Sequence, residues 1–459
     1  MLLTEGQMLR ELTNLLGARV SAAEAVREHH SHGESWHPSA LPDVVCFPHT
    51  TQEVSEILRI SARHKCAVVP FGAGTSIEGQ VHATHGGISI DLSAMNRIIR
   101  LSAEDLDATV QAGVTRSQLN DKANAMGLMF SVDPGADATL GGMASTRASG
   151  TTSLRYGTMR DNLLALTVVL ADGRVIHTGS RARKSSAGYD LTHLFAGAEG
   201  TLGVITELTV RLHPLPEAVS AAVCAFDSLE GAVQTVIEIS QLGIPAARME
   251  LLDERAIEAV NRRSRTSYAL APTLFFEFHG PSAAHVSDNA AMARSLAGEH
   301  GGRDFEWATH QADRERLWQA RHEAYYASLA LRPGARGFTT DVCVPISRLA
   351  DCILQAQRDH ADAPFPITLV GHVGDGNFHL IYVLDPASES ELTEAKRLSG
   401  QLVERALAMD GTCTGEHGIG TGKLDYMATE HGAALDVMRD IKRALDPDNR
   451  LNPGKTVPG

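Results

Sequence analysis

The 459-residue sequence predicts an α+β protein with two main domains. In the first half, short apolar runs alternate with helical patterns and glycine-rich turns. Pro214 and Pro216 then interrupt the chain, and longer helical patterns separate isolated strands after them. With 43% hydrophobic and 21% charged residues, the chain can bury a large core. These three features predict a first domain rich in loops and a second, more helical domain.

Local signals place the elements of the first half. Thr50 and Glu53 form a capping box, which predicts the start of a helix. In residues 204–212 every second side chain is apolar or β-branched, whereas Glu207 and Arg211 point the other way, so this is expected to be a half-buried strand. Further strands are expected at residues 67–69, 88–91, 109–113 and 164–170, the last continuing through Asp172-Gly173 into a hairpin.

The second half reads as helices between strands. Helices are predicted at residues 229–242, 283–299, 313–331, 347–359 and 390–408, and strands near 274–278, 340–344, 368–373 and 378–383. The last residues, LDPDNRLNPGK, are a poor helix and are expected to dock on another surface. We therefore predict a helical segment at 1–40, domains at 41–215 and 216–420, and a C-terminal segment at 421–459 that packs back on the first domain.

Composition excludes several classes of function. The 55 acidic and 41 basic residues leave a net charge of −14, which argues against nucleic acid as a partner. No apolar stretch approaches the roughly 20 residues that a bilayer requires. Glu5 and Glu11 in the opening segment suit an amphipathic helix better than a targeting signal, so a cytoplasmic protein is expected, with peripheral contact at the inner membrane left open. Six scattered cysteines without a C-x-x-C pair are expected to be reduced thiols.

Three glycine-rich segments follow one another in the first half. They are VVPFGAGTSIEGQ (68–80), an expected thirty-residue loop at 133–162, and FAGAEGTLGVIT (195–206). Glycines let backbone N–H groups converge on a pyrophosphate without a lysine. The first segment is neither a Walker A loop nor a good Rossmann fingerprint, and alone it is more typical of a tight turn. Three such loops together favour an elongated cofactor.

The second half contains two motifs with metal-binding potential. GHVGDGNFH (371–379) has two apolar runs around a turn, so His372 and His379 are expected to face each other across a hairpin. CTGEHGIGTGK (413–423) supplies Glu416 beside His417 in a loop of glycines. Two histidines and a carboxylate suit a catalytic divalent ion, while a hydrogen-bonded pair of structural histidines is the alternative.

These segments, in this order, resemble the FAD-binding domain of the vanillyl-alcohol oxidase and p-cresol methylhydroxylase superfamily. The second half resembles the FAD-linked D-2-hydroxyacid dehydrogenases, especially those of the cytochrome type. The resemblance implies that residues 41–215 bind FAD and that residues 216–420 form a substrate and metal-binding cap domain. It implies cofactor contacts by Pro70, Gly72, Gly74, Thr75, Ser76, Pro134, Gly135, Thr139, Gly141, Gly142, Glu199, Gly200, Gly203, Ile205 and Asn452.

Two positions depart from the family pattern. Arg147 stands where many relatives have asparagine, and Thr75-Ser76 stand where members with covalently linked FAD have a histidine. The second departure implies noncovalent FAD.

The resemblance also implies roles in the second half. His372, His379 and Glu416 match the family's ligands for zinc or manganese, and His417 matches its proposed base. Arg321 corresponds to the anchor of the substrate carboxylate, with Arg332 and Arg336 as rivals from the sequence alone. Asn377 is expected to orient the same substrate oxygens. Cys413 is close in sequence, but its family counterpart is not a ligand.

The expected reaction is oxidation of a D-2-hydroxy monocarboxylate, D-lactate or a similar acid, to the 2-oxoacid. Relatives that act on D-2-hydroxyglutarate have a lysine where this chain has Thr339 and Thr340, so a second anion site is not expected. D-2-hydroxyglutarate or glycolate dehydrogenase or oxidase activity is the alternative. The sequence has no haem or iron–sulfur motif, so a cytochrome, a quinone or an electron-transfer flavoprotein is expected as external acceptor. An oxidase, a hydrolytic metalloenzyme, a noncatalytic flavin subunit and a homo-oligomer remain open.

Overall fold

The computed structural model describes residues 2–458, which divide into two compact units. Unit 1 contains Met1–Ser149, Gly157–Leu215 and Glu416–Gly459, and unit 2 contains Gly150–Tyr156 and Pro216–Gly415. The boundary after Leu215 falls where the sequence pattern changes. The C-terminal segment of unit 1 begins at Glu416, five residues before the predicted start, and the short Gly150–Tyr156 segment joins unit 2 without any signal in the sequence.

The helices span both units. In chain order they are α1 (Leu2–Leu16), α2 (Glu24–His29), α3 (Thr51–His64), α4 (Arg116–Asn124), α5 (Leu140–Thr146), α6 (Ser153–Tyr156), α7 (Met159–Asn162), α8 (Leu191–Phe195), α9 (Leu229–Gln241), α10 (Glu254–Ser264), α11 (Ala283–Glu299), α12 (Gln311–His322), α13 (Ala324–Ala330), α14 (Ile346–Asp359), α15 (Glu389–Ala408), α16 (Met427–His431) and α17 (Ala434–Leu445). None of these helices is both long and apolar enough to cross a membrane.

The strands form one sheet in unit 2 and three in unit 1. In chain order they are β1 (Val20–Ser21), β2 (Val44–Cys46), β3 (Val68–Phe71), β4 (Ile88–Asp91), β5 (Ile98–Ser102), β6 (Asp107–Gln111), β7 (Leu128–Met129), β8 (Leu163–Val169), β9 (Val175–His177), β10 (Val204–Arg211), β11 (His213–Pro214), β12 (Ala218–Phe226), β13 (Ala246–Leu252), β14 (Thr273–Gly280), β15 (Gly302–Ala308), β16 (Arg336–Thr339), β17 (Val342–Cys343), β18 (Ile367–His372) and β19 (Asn377–Leu384).

Unit 1 is built on two larger sheets. Strands β2, β4 and β3 are parallel neighbours in a four-stranded sheet, to which β1 adds an antiparallel edge. The second sheet is antiparallel, with the order β5-β6-β10-β8-β9. A small pair, β11 with β7, completes the unit. The expected docking of the C-terminus occurs within this unit, where Leu451 forms a bridge with Val68 of β3.

Several local predictions for unit 1 are confirmed, and one is wrong. Thr50 caps α3 by accepting a hydrogen bond from Glu53 N, and Gly173 (φ +84°) forms the turn between β8 and β9. The thirty-residue loop at 133–162 does not exist, because α5, α6 and α7 lie within it. Thr139 and Thr158 begin two of these short helices. The density of small residues in this segment concealed the capping signals.

Unit 2 is an antiparallel sheet covered by helices. The strand order is β15-β12-β14-β13-β18-β19-β16, and β17 also pairs with β19. Helices α10, α12 and α13 pack their apolar side chains against one face of this sheet, around Leu252, Phe275, Val370 and Ile381. The hairpin between β18 and β19, predicted from the motif at 371–379, is confirmed, with His372 opposite Asn377.

Two element predictions in unit 2 need correction. The helix expected at 313–331 is divided at Glu323, whose carboxylate accepts hydrogen bonds from Ser264 Oγ (2.6 Å) and Gln319 Nε2 (3.0 Å). The strand expected at 340–344 is reduced to β17. Thr340 donates its backbone N–H to the carbonyl oxygen of Leu380, and its Oγ1 accepts from Leu380 N, so a side-chain oxygen takes the place of a backbone acceptor. Both differences arise from contacts between segments distant in sequence.

None of the six cysteines, all of which lie in the part of the chain that the structure describes, forms a disulfide bond, as expected.

Candidate active site

The first glycine-rich loop leaves β3 in unit 1. Gly74 has φ +70°, which a residue with a side chain rarely adopts, and Ser76 Oγ is buried. In the part of the chain that the structure describes, this hydroxyl has no hydrogen-bond partner. A buried hydroxyl without a partner costs free energy, so a ligand that can bond to it fits here. An anionic diphosphate meets that requirement.

The predicted cofactor loops meet one another within unit 1. A Cβ on Gly72 would lie 2.4 Å from Thr139 Oγ1, which joins the first loop to the second. A Cβ on Gly200 would lie 2.8 Å from the ring of Pro70, which joins the third loop to the first, and Gly200 itself has φ +73°. The structure therefore brings the three glycine-rich segments together within unit 1.

The second loop leads into α5. Thr139 caps this helix by accepting a hydrogen bond from Gly142 N (3.3 Å). Gly141 lies so close to Ala112 that a Cβ would be 2.6 Å from the alanine methyl group. Pro134 and Gly135 lie further out, and Gly135 is exposed. Close packing of glycine thus lets the start of α5 approach the first loop.

Glu199 has a role that the sequence did not reveal. Its buried carboxylate accepts hydrogen bonds from Gly420 N (2.8 Å), Ile419 N (2.8 Å), Thr456 Oγ1 (2.8 Å) and Gln80 Nε2 (3.2 Å). Burial raises its pKa, against the effect of these donors. With four donors on its two oxygens, the carboxylate is committed to Gln80 and to the C-terminal segment.

Asn452 links two of the cofactor loops. Its Nδ2 donates to the carbonyl oxygens of Gln80 (3.0 Å) and Glu199 (2.6 Å), and its backbone has φ +41°. Gly203, by contrast, directly precedes β10, and a Cβ on it would lie 2.4 Å from the side chain of Val168. Ile205 lies inside β10 and is a core residue. We call the three glycine-rich segments 68–80, 133–162 and 195–206 the predicted cofactor cradle. Of the predicted contacts in this region, Asn452 is placed best to order this cradle.

Arg147, the position that departs from the family pattern, caps the end of α5. Its Nε donates to the carbonyl oxygen of Ala196 (2.8 Å), and burial lowers the pKa of its guanidinium. Its side chain lies over Gly197, where a Cβ would be 2.4 Å from Nε. The arginine therefore ties α5 to the third loop.

The predicted base lies in the C-terminal segment of unit 1. Gln80 Nε2 donates to the carbonyl oxygen of His417 (2.8 Å), and a Cβ on Gly418 would lie 2.3 Å from Glu199 Oε1. Residues 416–420 are therefore attached to the first and third cofactor loops. Within unit 1, this attachment places His417 beside the predicted cofactor cradle.

The two predicted metal ligands of unit 2 share one face of its sheet. His372 and His379 have ring centroids 5.4 Å apart at an interplanar angle of 84°. His372 Nδ1 lies 2.8 Å from Glu250 Oε1, and His379 Nδ1 lies 3.0 Å from the carbonyl oxygen of Thr340. Because both of these oxygens only accept hydrogen bonds, Nδ1 carries the proton and Nε2 has the lone pair in each neutral ring. A pair of oriented Nε2 donors fits zinc or manganese.

Arg321 is joined to this histidine pair through Glu250. Arg321 Nε and Nη2 donate to Glu250 Oε2 at 2.8 and 2.6 Å, while Oε1 accepts from His372. Burial raises the pKa of Glu250, but the electrostatic attraction and the hydrogen bonds of His372 and Arg321 lower it by more, so the net shift is downward. Of the rivals, Arg332 donates two 2.9 Å hydrogen bonds to Glu391, and Arg336 is exposed on β16. Among the contacts described for these three arginines, it is Arg321 whose contacts lead to the histidine pair.

Asn377 is more restricted than the sequence suggested. Its Nδ2 donates to Asp341 Oδ1 (2.7 Å) and to the carbonyl oxygen of Val342 (2.8 Å). Both N–H donors are therefore used, and the atom available to a substrate is the amide oxygen. The amide oxygen can accept a hydrogen bond from a hydroxyl group but cannot donate one to a carboxylate.

Glu250 is the residue that sequence reasoning missed. Arg248 and Glu250 are charged residues in the strand AARMELL, which is otherwise apolar and buried. A charged residue at a buried strand position needs a partner, so this pattern was the available signal.

Comparisons with known proteins agree with this description. Residues 215–456 match the family model for the C-terminal domain of FAD-linked oxidases, and residues 42–179 match a model for an FAD-binding domain. The chain belongs to the FAD-linked oxidase family. It is thus a flavoprotein oxidoreductase with an FAD-binding domain of the p-cresol methylhydroxylase type, as predicted.

The chain is also similar to individual proteins of known name and to a solved structure. The chain is 49% identical over 442 residues to the probable mitochondrial D-lactate dehydrogenase of Danio rerio, covering 95% of this chain and 89% of that protein. It is 33% identical over 421 residues to the glycolate oxidase subunit GlcD of Bacillus subtilis (91% and 89% covered). A crystal structure of p-cresol methylhydroxylase with bound substrate superposes with a TM-score of 0.82 at 20% identity, covering 99% of this chain and 97% of that one. The last comparison shows the fold alone.

Proposed function

We propose that this protein oxidises a D-2-hydroxy monocarboxylate, D-lactate or a similar acid, to the 2-oxoacid. The main support is the placement of His372 and Arg321 on either side of one buried carboxylate, Glu250, which combines an imidazole donor with a carboxylate anchor. The 49% identity to a D-lactate dehydrogenase supports the choice of substrate.

The proposed metal ligands are His372, His379 and Glu416, with zinc or manganese as the ion. Glu416 follows Gly415, and a Cβ on Gly415 would lie 2.3 Å from Asn377 Nδ2, beside β19. Two imidazoles and one carboxylate leave coordination positions open for a substrate, as in catalytic metal sites. A bound divalent ion would stabilise negative charge on the substrate hydroxyl oxygen.

The proposed cofactor is noncovalent FAD, which accepts hydride at N5 when bound. Its diphosphate would lie against Gly72, Gly74, Thr75 and Ser76, where the unpartnered hydroxyl of Ser76 supplies a donor. Thr139 and Gly141 would face the flavin side. Gly200 and Asn452 would close the cradle, because they connect the third loop and the C-terminus to the first loop.

Three residues of the chain are proposed to act on the substrate. His417 accepts the hydroxyl proton on its imidazole ring. Arg321 binds the carboxylate, since the side-on pair with Glu250 leaves the two terminal nitrogens able to form a second, end-on fork. Asn377 offers its amide oxygen as an acceptor that orients the hydroxyl of the bound substrate before that hydrogen passes to His417. Thr339 and Thr340 supply no cation for a second carboxylate, which favours a monocarboxylate.

Anaerobic flavin reduction tests this proposal. Oxidised flavin absorbs at about 450 nm. This band is expected to bleach on addition of D-lactate, but not on addition of L-lactate. His379→Ala is expected to stay yellow and to bleach at least ~10³-fold more slowly. The matched control is His300→Ala, since His300 pairs with Glu238 on the surface of unit 2. A wild-type protein that is yellow yet unreduced by any 2-hydroxyacid would refute the proposal.

The same experiment addresses the second candidate function, glycolate oxidation, which the similarity to a glycolate oxidase subunit favours. If glycolate bleaches the flavin with a higher kcat/KM than D-lactate, the site accepts a substrate without a methyl group. D-2-hydroxyglutarate is the third member of the panel and is expected to react most slowly. Reoxidation in air separates an oxidase from a dehydrogenase, because a dehydrogenase reoxidises slowly.

The electron acceptor is proposed to be external: a cytochrome, a quinone or an electron-transfer flavoprotein. A cytoplasmic location with peripheral contact at the inner membrane, and a homo-oligomeric state, also stay predictions. Acceptor assays with the reduced protein test the first of these proposals.

A further inference from the structure

Glu250 was not among the residues predicted to bind the metal, the substrate or the cofactor, yet it contacts two of them. It lies on β13, with 1% of its side chain exposed, between β18, which carries His372, and α12, which carries Arg321. Its partners are 122 and 71 residues away in sequence. One buried carboxylate thus contacts both a proposed metal ligand and the proposed substrate anchor.

The two carboxylate oxygens of Glu250 contact different partners. Oε1 accepts from His372 Nδ1 at 2.8 Å, which keeps the proton on Nδ1 and the lone pair on Nε2. Oε2 accepts from Arg321 Nε and Nη2 at 2.8 and 2.6 Å, along one side of the guanidinium. The side-on contact fixes the plane of the guanidinium and directs its end-on edge away from Glu250.

We propose that Glu250 is a positioning residue that orients the His372 imidazole for a metal ion and the Arg321 guanidinium for a substrate carboxylate at the same time. This inference rests on the proposed function. It adds the expectation that both binding events depend on one acceptor group. Glu250 itself touches neither substrate nor cofactor.

A second cluster in the same sheet provides the control. Glu277 on β14 lies 2.7 Å from His279 Nε2 and 3.3 Å from Arg248 Nε, and it is also buried. The chemistry is the same, a buried carboxylate between a histidine and an arginine, but His279 and Arg248 are not among the predicted ligands or anchors. A change at Glu277 therefore reproduces the loss of a buried charge without touching His372 or Arg321.

The decisive variant is Glu250→Gln. An amide has one acceptor oxygen, and its NH₂ group cannot accept from a second donor, so glutamine satisfies His372 or Arg321 but not both. Two affinities are measured on the FAD-loaded protein: that for Mn²⁺ alone, by titration of the metal-free protein, and that for pyruvate, by perturbation of the flavin spectrum. Neither readout requires turnover.

The expected results separate three variants. In Glu250→Gln the Kd for Mn²⁺ is expected to rise about 10–100-fold, the usual cost of losing an outer hydrogen-bond partner of a metal ligand. Its Kd for pyruvate is expected to rise about tenfold with the loss of one charge-assisted contact. Arg321→Met is expected to weaken pyruvate at least as much but to leave Mn²⁺ binding within about threefold, because Glu250 still holds His372. Glu277→Gln is expected to change neither Kd beyond about threefold.

Each other outcome has a distinct meaning. If Glu250→Gln binds Mn²⁺ within about threefold of wild type, the positioning role is refuted although the proposed function stands. If the wild-type protein binds neither Mn²⁺ nor Zn²⁺, the proposed metal site fails and this inference fails with it. Circular dichroism establishes that each variant is folded. If Glu250→Gln does not fold, Glu250→Asp takes its place: the shorter carboxylate cannot reach both partners, so Mn²⁺ affinity is again expected to fall.

Discussion

The two units build their candidate binding sites in different ways. In unit 1 the contacts come from glycines, caps and backbone groups in loops, as at Gly74 and Gly200, where φ is positive. In unit 2 they come from side chains on a sheet and a helix, as at His372, His379 and Arg321. The first kind depends on local conformation and close approach, and the second on strand register. This difference explains why a motif is a good guide in unit 1 and an incomplete one in unit 2.

The largest expected effect outside the proposed active site concerns the C-terminal segment of unit 1. Arg450 is buried and donates from Nη1 to Ser61 Oγ (2.8 Å) and from Nη2 to the carbonyl oxygen of Ala171 (2.7 Å). Arg450→Met is expected to lower the free energy of unfolding of unit 1 by about 3 kcal/mol, because two hydrogen bonds of a charged group are lost. Chemical denaturation, monitored through the release of the bound flavin, measures this free energy of unfolding.

The surface arginine Arg443 is the control for this experiment. Among the contacts described for it, it pairs only with Asp440, at 3.1 Å, on the exposed face of α17. Arg443→Met is expected to change the unfolding free energy by less than about 0.5 kcal/mol. If Arg450→Met changed the free energy of unfolding as little as this control does, the buried contacts of the C-terminal segment would not stabilise unit 1.

A glycine change tests the claim that backbone geometry governs unit 1. Gly200→Ala introduces a Cβ 2.8 Å from Pro70 at a residue with φ +73°. We expect FAD affinity to fall about 10–100-fold, corresponding to the cost of a strained backbone and a displaced loop. Fluorescence titration of the apoprotein with FAD measures the change, whereas Mn²⁺ affinity in unit 2 is expected to stay unchanged.

Gly188→Ala separates strain from clash. Gly188 also has a positive φ of +83°, but a Cβ there would meet no atom within 4 Å. This variant is expected to bind FAD as the wild type does. Equal losses in both variants would mean that the left-handed backbone, rather than the packing of the third loop on Pro70, controls FAD binding.

The smallest expected effect is a pH dependence of stability in unit 1. His82 Nδ1 donates to the carbonyl oxygen of Pro38 (2.9 Å), and Nε2 accepts from Gly33 N (3.3 Å). Burial, opposed in part by the bond to Pro38, lowers the pKa of His82 to about 4. Because the folded state binds this proton more weakly than the unfolded state, its contribution to stability is lost as the pH falls from about 6.5 to about 4.

Denaturation of wild type and His82→Asn at pH 7 and pH 5 measures this effect. The wild type is expected to lose about 2 kcal/mol through this residue between the two pH values, and the variant is expected to lose correspondingly less. If the pH dependence were the same in both proteins, protonation of His82 would not be coupled to the folding of unit 1.

Much of the fold could be predicted because its signals are local. The helix after Thr50, the β8–β9 hairpin around Gly173 and the hairpin that carries His372 all follow from capping, turn chemistry and alternation. The expected loop at 133–162 and the single helix at 313–331 were wrong. In the first, small residues hid short capped helices, and in the second, a tertiary contact of Glu323 ended a continuous pattern.

The candidate site shows the same division. Histidines seven residues apart on a hairpin can be recognised from spacing, and so can glycines that take a positive φ. The preference for Arg321 over Arg332 came from family resemblance, and the structure adds a reason, because Arg332 is occupied by Glu391. Glu250 had only a weak signal, a lone carboxylate in a buried strand.

The amino-acid sequence alone determined the class of this protein, because its glycine-rich segments and its histidine hairpin carry the resemblance to FAD-linked oxidoreductases that the two family models bear out. Tertiary structure decided which carboxylate contacts which histidine, which arginine is held beside the histidine pair, and which segment closes unit 1. The physical reason is that φ angles and turns depend on neighbouring residues, whereas a hydrogen bond across 122 positions depends on strand order and register.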